Sequence, residues 1–230
     1  MNYTFQFSGV LSRSEMLWQG VLATIQLSVL SIVIGGVIGI VFARVLAFGP
    51  QWLQLFVRAY VEVFRNTPLL VQVFLIFFGL PSIGLRLDAT TAALIAMSVN
   101  LGAYSTEIVR AGLQAVHRSQ VEAGEALALT PFQNFFHVIL PPAIEKVYPA
   151  LSSQFVLTML ASSIMSAISA VELTSAGNMI QSLTFRNFEV YVVLGLIYIG
   201  LTMAFRGTFF LLGLVLFPRS RRAFFSRMRS

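Results

Sequence analysis

Apolar intervals without a charged side chain recur along the chain: Met16 to Ala43, Asn66 to Leu85, Ala89 to Thr106, Val147 to Val171 and Val190 to Phe205, the last resuming beyond Arg206 as far as Phe217. About 20 such residues carry a helix across the ~30 Å of hydrocarbon in a bilayer. Lipid offers no partner to backbone amides, and the residues lack the alternation of a barrel strand, so the spans are helices. The pattern predicts five of them, at about residues 18–43, 54–80, 89–110, 146–170 and 188–214, in one all-α transmembrane domain covering 1–230. The second begins ahead of its apolar interval because Pro68 interrupts the pattern. A helix confined to residues 69–80 would reach only about 18 Å, so this span starts earlier and kinks. Its early part places Arg58, Glu62 and Arg65 on one face, where they can pair.

Composition and charge then fix the setting. Of 230 residues 57% are hydrophobic and 10% charged, too apolar a balance for a water-soluble domain. The formal charge of +6 is concentrated at one end rather than spread over a face, which argues against nucleic acid as a partner. Arg219, Arg221, Arg222, Arg227 and Arg229 follow the last span without an acid, so the C-terminus is expected in the cytoplasm and the N-terminus outside. The loops agree: Arg44, Arg58, Arg65, Arg110, Arg118 and Lys146 fall inside, and Arg13, Arg86 and Arg186 outside. With Phe224 and Phe225, the tail reads as an anchor on anionic membrane lipid. The first 15 residues read as polar with no cleavage-like site after an apolar stretch, so the first span is expected to serve as its own insertion signal. There is no cysteine, which removes disulfides, zinc–thiolate sites and iron–sulfur clusters. His117 and His137 lack a suitably spaced ligand cluster, so no metal site is expected. Asp88 is the sole aspartate, which excludes an aspartyl dyad. No enzyme site is expected.

The polar positions concentrate the candidate chemistry. About 35 residues, 111–145, form the inner loop between the third and fourth spans, with helix caps of their own. Ser119 and Glu122 read as one capping box. Thr130, with Pro131 at the first helical position and Gln133 at the third, reads as another, and Leu140-Pro141-Pro142 is expected to end that helix. The expectation is two short helices with a corner at Leu129 and Thr130. Gly124 and Ala128 leave one flank of the first nearly bare, suited either to docking or to packing beneath the bundle. In the third span Asn100, Tyr104, Glu107 and Arg110 form a polar stripe, which must face protein or water; the last two are expected to pair. Gln72 lies just beyond the kink. Ser162, Ser166 and Ser169 form a stripe of small hydroxyl groups in the fourth span. Gly35 and Gly39 give the first span a small-xxx-small face for a neighbouring helix.

Glu122-Ala123-Gly124, Ala128 and Val138-Ile139-Leu140-Pro141 together resemble the cytoplasmic coupling motif of permease subunits of ATP-binding-cassette importers. That motif runs E-A-A, three residues, G, nine residues, I-x-L-P. The spacing matches throughout, with Gly124 for the second alanine, Ala128 for the glycine and Val138 for the isoleucine. A tight turn at the glycine position would strain Ala128. Arg65 to Gln72, Asn-Thr-Pro-Leu-Leu-Val between them, resembles a stretch of the polar amino acid uptake permeases. Asn100 to Tyr104 with Glu107, Ile108 and Arg110, and also Glu172-Leu173-Thr174, are similar to further stretches of that group. Leu160-Ala161 stands where relatives often carry a Lys-Asp pair.

The resemblance implies a permease subunit in the cytoplasmic (inner) membrane, paired with an identical or homologous permease, two ATP-binding-cassette ATPase subunits and an extracytoplasmic solute-binding protein. Its solute would be an amino acid or similar compound. The coupling residues would be Ser119, Glu122, Ala123, Gly124, Ala128, Leu129, Thr130, Leu140 and Pro141, and the substrate pathway would include Gln72, Asn100, Tyr104, Ser162 and Ser166. ATP and Mg would sit on the partner ATPases and no cofactor on this chain. The residues agree with that division: the only lysine, Lys146, follows Glu145, so no P-loop can form. The alternative is a channel or secondary transporter with its own ion coupling, for which the spans offer no acid cluster beyond Glu62 and Glu107.

Overall fold

A computed structural model describes residues 4–217. Arg219, Arg221, Arg222, Arg227, Arg229, Phe224 and Phe225, expected to form the cytoplasmic anchor, lie outside the described residues. A short helix α1 (Ser8–Leu11) precedes α2 (Ser14–Phe48), and α3 (Gln51–Arg65) follows after Pro50. Helix α4 (Leu69–Phe74) continues through a π turn (Leu75–Gly79) and a 3-10 turn (Leu80–Ile83). Helix α5 (Ala89–Gln114) crosses the centre of the bundle, and α6 (Arg118–Ala126) turns off its end. Helix α7 (Pro131–Gln133) opens one long rod, continued by a π turn (Asn134–Ile139), α8 (Leu140–Ala161) and a 3-10 turn (Ser162–Ile168). Helices α9 (Leu173–Thr184) and α10 (Asn187–Leu216) complete the fold.

Small residues let α5 occupy the centre. Ala92, Ala93, Ala96, Gly102, Ala103 and Ser105 are all buried, so neighbouring backbones approach closely. Gly35 and Gly39 of α2 face it. A Cβ on Gly35 would stand 2.9 Å from the Leu101 side chain, and one on Gly39 would overlap Ser105. The small-xxx-small face of the first span therefore packs within the subunit. Asp88 caps α5, accepting from the Thr91 amide at 3.0 Å and the Thr91 hydroxyl at 2.6 Å, and these bonds hold its carboxyl below the usual range.

Three apolar clusters hold the ends and the middle. One joins Ala43, Val109, Phe135, Ile139 and Leu151 at the end of the bundle where α6 lies. A second joins Leu27, Val73, Ala96, Met97 and Met165. The third, at the opposite end, joins Val10, Leu17, Leu173, Ile180 and Leu194. There Glu172 is fully buried as the N-cap of α9, accepting from the Thr174 amide at 2.7 Å, the Ser175 amide at 2.5 Å and the Tyr198 hydroxyl at 3.0 Å. Burial pushes its carboxyl up, against the pull of those donors. The Leu173 amide donates to Thr24 Oγ1 at 3.0 Å, tying α9 to α2. The segment between the last two predicted spans is thus a docked helix.

Two expectations are corrected. The interruption at Pro68 is a break: α3 and the helix from Leu69 to Ile83 meet at 108°. Pro68 is extended, with φ −62° and ψ 138°, so no helical turn bridges the two. The run Leu140-Pro141-Pro142 does not end a helix, since the rod passes through it from Pro131 to Ile168. The π turn just before the prolines displaces the carbonyls that their rings would strike, so the rod tolerates two missing donors. Residues 131–145, read from the sequence as part of the inner loop, are therefore helical and continuous with α8.

The glycine contacts predict a contrast between neighbours. Gly39→Val should destabilise the purified subunit by about 1–3 kcal/mol through overpacking. Gly36→Val should leave its melting unchanged, because a Cβ on Gly36 meets nothing within 4 Å. Thermal unfolding in detergent checks both.

Candidate functional site

The elbow between α5 and the long rod is built from three caps. His117 caps α6, its Nδ1 lying 3.3 Å from the Ser119 amide and 2.7 Å from the Ser119 hydroxyl. Ser119 is therefore inside the helix, and the expected Ser119–Glu122 box is replaced by a histidine cap. Glu122 accepts instead from Arg118 one turn earlier, at 2.9 Å. Such an exposed pair contributes at most about 0.5 kcal/mol, so Glu122 is not committed to holding the helix.

The far end of α6 closes with a Schellman arrangement. The Leu129 amide donates to the Gly124 carbonyl at 3.2 Å and the Ala128 amide to the Glu125 carbonyl at 2.9 Å. This geometry needs a left-handed residue, and Ala128 supplies it with φ 55°. The strain anticipated at the glycine position of the motif is present. Thr130 and Gln133 then make a reciprocal capping box, as the spacing predicts: the Thr130 amide donates to Gln133 Oε1 at 3.0 Å and the Gln133 amide to Thr130 Oγ1 at 3.3 Å.

The bare flank of α6 is divided. Gly124 is buried against the Asn134 side chain, while Ala128 stays exposed. The opposite face presents Ser119, Glu122 and Ala123 to the surroundings, with Leu127 75% exposed at the tip. Behind the elbow the Arg44 guanidinium of α2 lies 5.8 Å from the Phe132 ring centre and 5.4 Å from that of Phe135, a cation–π contact that seats the rod. Leu140 and Pro141, half-buried and exposed, stand where α8 begins.

The second polar group gathers at the break. Buried Gln72 donates through Nε2 to the Phe64 carbonyl at 2.9 Å and to the Thr67 carbonyl at 3.0 Å, and accepts through Oε1 from Asn100 Nδ2 at 3.0 Å. The Tyr104 hydroxyl donates to the Arg65 carbonyl at 3.5 Å, with the Arg65 guanidinium 5.6 Å from the Tyr104 ring centre. Gln72, Asn100 and Tyr104 are thus brought together, satisfying carbonyls that the broken helix leaves free. Ser162 and Ser166 are not part of that group. They donate to the carbonyls of Met159 at 2.7 Å and Ser163 at 2.8 Å in their own helix.

Below the break, Arg110 grips Glu107 with two bonds of 3.0 and 2.6 Å, the pairing expected from the stripe. The expected Arg58–Glu62–Arg65 pairing does not form. Glu62 accepts from Asn66 Nδ2 at 2.9 Å, and Arg65 reaches Glu107 at 3.9 Å. Arg58, Glu62, Glu107 and Arg110 line a cavity of about 530 Å³ between the ends of α2, α3 and α5. Among the described residues no group of three His, Asp or Glu is placed to hold a metal ion.

Residues 35–230 match the family of binding-protein-dependent transport system inner membrane components. The chain belongs to that family. It is 37% identical over 192 residues to the probable glutamine ABC transporter permease protein GlnM of Bacillus subtilis, covering 82% of this chain and 88% of the relative. It is 33% identical over 201 residues to the glutamine transport system permease protein GlnP of Escherichia coli K12, covering 86% and 92%. A crystal structure of an amino acid ABC transporter with histidines contains a chain 35% identical, with a TM-score of 0.82 and coverage of 92% and 99%. A methionine ABC transporter, MetNI, at 20% identity and TM-score 0.74, shares the fold.

For a transport-system membrane component, sequence reasoning missed Asn134, Arg44 and His117 at the elbow. His117 carried a usable signal, since a polar residue stood directly before the helix. Asn134 and Arg44 carried none, because each acts on a partner from another segment of the chain. Ala128→Gly should stabilise the elbow by about 1 kcal/mol, because glycine adopts the left-handed turn without strain. Slower amide exchange over residues 118–130 is the expected readout.

Proposed function

We propose that this membrane component serves an ATP-driven importer for amino acids or amino-acid-like solutes. It pairs with a second permease, identical or homologous, and works with two ATP-binding-cassette ATPase subunits that hold ATP and Mg, together with an extracytoplasmic solute-binding protein. The N-terminus lies outside the inner membrane, and the elbow and C-terminus lie in the cytoplasm. The observation that carries this reading is the elbow itself: a capped helix with one face buried on its own chain and the other, from Ser119 to Leu127, left uncovered. The relatives named for glutamine transport support the solute class.

In this account Glu122, Ala123 and Leu127 meet a groove on the ATPase. Ser119, Gly124, Ala128, Leu129 and Thr130 give the elbow its shape, and Leu140 and Pro141 pass its movement into α8. ATP-driven closure of the ATPases displaces the elbow, and the rod from Pro131 to Ile168 rocks the bundle between inward-open and outward-open states. Gln72, Asn100 and Tyr104 line the solute's route at the break. That location is consistent with polar side chains and irregular backbone being placed where they border a pathway. Ser162 and Ser166 flank the route on the facing rod, and the 530 Å³ cavity provides its cytoplasmic mouth.

Vesicles carrying the whole transporter should take up labelled glutamine or histidine only with internal ATP. Uptake that persists after ATP removal would instead support a channel or secondary transporter. Leu127→Glu should reduce co-purification of the ATPase at least about tenfold, since a charge would be buried at the contact. The same variant should melt like the parent because Leu127 is 75% exposed. Full retention of the ATPase would remove the docking role of this face.

A further inference from the structure

Asn134 is the first residue of the π turn, 5% exposed, and its backbone amide donates to the Thr130 carbonyl at 2.8 Å. The side chain therefore leaves the rod from a point fixed by the Thr130–Gln133 box. Its Nδ2 donates across to the Val121 carbonyl in α6 at 3.1 Å. This choice turns Oδ1 towards Gly124, one helical turn further along the same face. A Cβ on residue 124 would overlap that carboxamide, and Oδ1 accepts no hydrogen bond among the described residues. The space taken by Oδ1 is the space that an alanine would need.

We propose that Asn134 is the positioning residue that sets the angle between the elbow helix and the long rod, and that residue 124 is glycine in order to admit it. The inference rests on the importer reading for its functional consequence, and on geometry alone for the clamp. A side chain from the rod engages α6 at two points on one face, Val121 by a hydrogen bond and Gly124 by close contact. Two points on a helix face fix its rotation as well as its distance, which one hydrogen bond would not. Glycine at 124 would otherwise weaken a nine-residue helix by about 1 kcal/mol relative to alanine. The cost is offset only if the absent methyl serves something, and the carboxamide fills its place.

The exchange of small residues within the elbow fits the same account. The coupling motif that this chain resembles has alanine at 124 and glycine at 128, and here the two are reversed. The reversal leaves Ala128 strained at φ 55°, so the sequence retains glycine where the clamp needs room rather than where the turn needs freedom.

The test is a two-residue cycle in the whole importer reconstituted with its ATPase and binding protein, reading solute transported per ATP hydrolysed. Gly124→Ala should lower that ratio roughly tenfold while Asn134 is present, and by less than about twofold in the Asn134→Ala background, where the methyl fits. Asn134→Ala alone should lower the ratio about threefold with the ATPase still bound. Equal effects of Gly124→Ala in the two backgrounds would overturn the clamp. A second readout is independent of transport and of the importer reading. In the purified subunit, Asn134→Ala should speed amide exchange across residues 118–127 and leave α5 and α10 unchanged. Unaltered exchange in α6 would overturn the proposal even if transport suffered, whereas a wild-type complex without ATP-dependent uptake would overturn only the importer reading.

Discussion

Hydrocarbon supplies no hydrogen-bond partner, so each interruption of a helix within this bundle must bring its own. That constraint accounts for the placing of the buried Gln72 and Glu172 at irregular points. The 108° break at Pro68 frees the carbonyls of Phe64, Arg65 and Thr67, and Gln72, Asn100 and Tyr104 are the groups that take them. The start of α9 needs acceptors, and Glu172 supplies two from a fully buried position. The π turn before Pro141 and Pro142 answers the same need by geometry, widening the rod where amides are missing.

With its irregularities satisfied in this way, the bundle can divide into parts that differ in stiffness. Close contact of α2 and α5 through Gly35 and Gly39 makes a platform, and the rod from Pro131 to Ile168 lies against it through Phe135, Ile139 and Leu151. The elbow hangs between the platform and the rod, held by its caps, by Arg44 over two phenylalanine rings and by Asn134 on Val121. An uncovered face on a well-held helix is a suitable place for another protein to push. The same helix on a loose tether would absorb the push.

What could be read from the chain followed from how local the cause was. Apolar intervals located the long helices because length and polarity are properties of a single segment. The Thr130–Gln133 box and the Glu107–Arg110 pair were legible for the same reason, each being set by residues three apart. The Ser119–Glu122 box was misread because two residues two positions apart competed for the cap, and the imidazole of His117 took it by accepting from the Ser119 amide. Leu140-Pro141-Pro142 was read as a stop because a π turn leaves no mark in the one-dimensional pattern. Asn100 was singled out as a polar group in a span and Gln72 by its place just beyond the kink, but their shared task at the break depends on a contact between α4 and α5 that spacing could not supply. Asn134 lay beyond reach, since its meaning lies in the space above Gly124.

The central claim is that elbow and rod move as one lever. The absence of cysteine lets nitroxide labels be placed singly, on Gln120 in the exposed face of α6 and on Ser153 in α8. Pulsed electron resonance on the assembled importer, with and without trapped ATP, tests the claim most directly. The account predicts one narrow Gln120–Ser153 distance that is the same in both states, while the distance between the two Gln120 labels of a permease pair changes. A Gln120–Ser153 distance that shifts with ATP as much as the distance across the pair would contradict it.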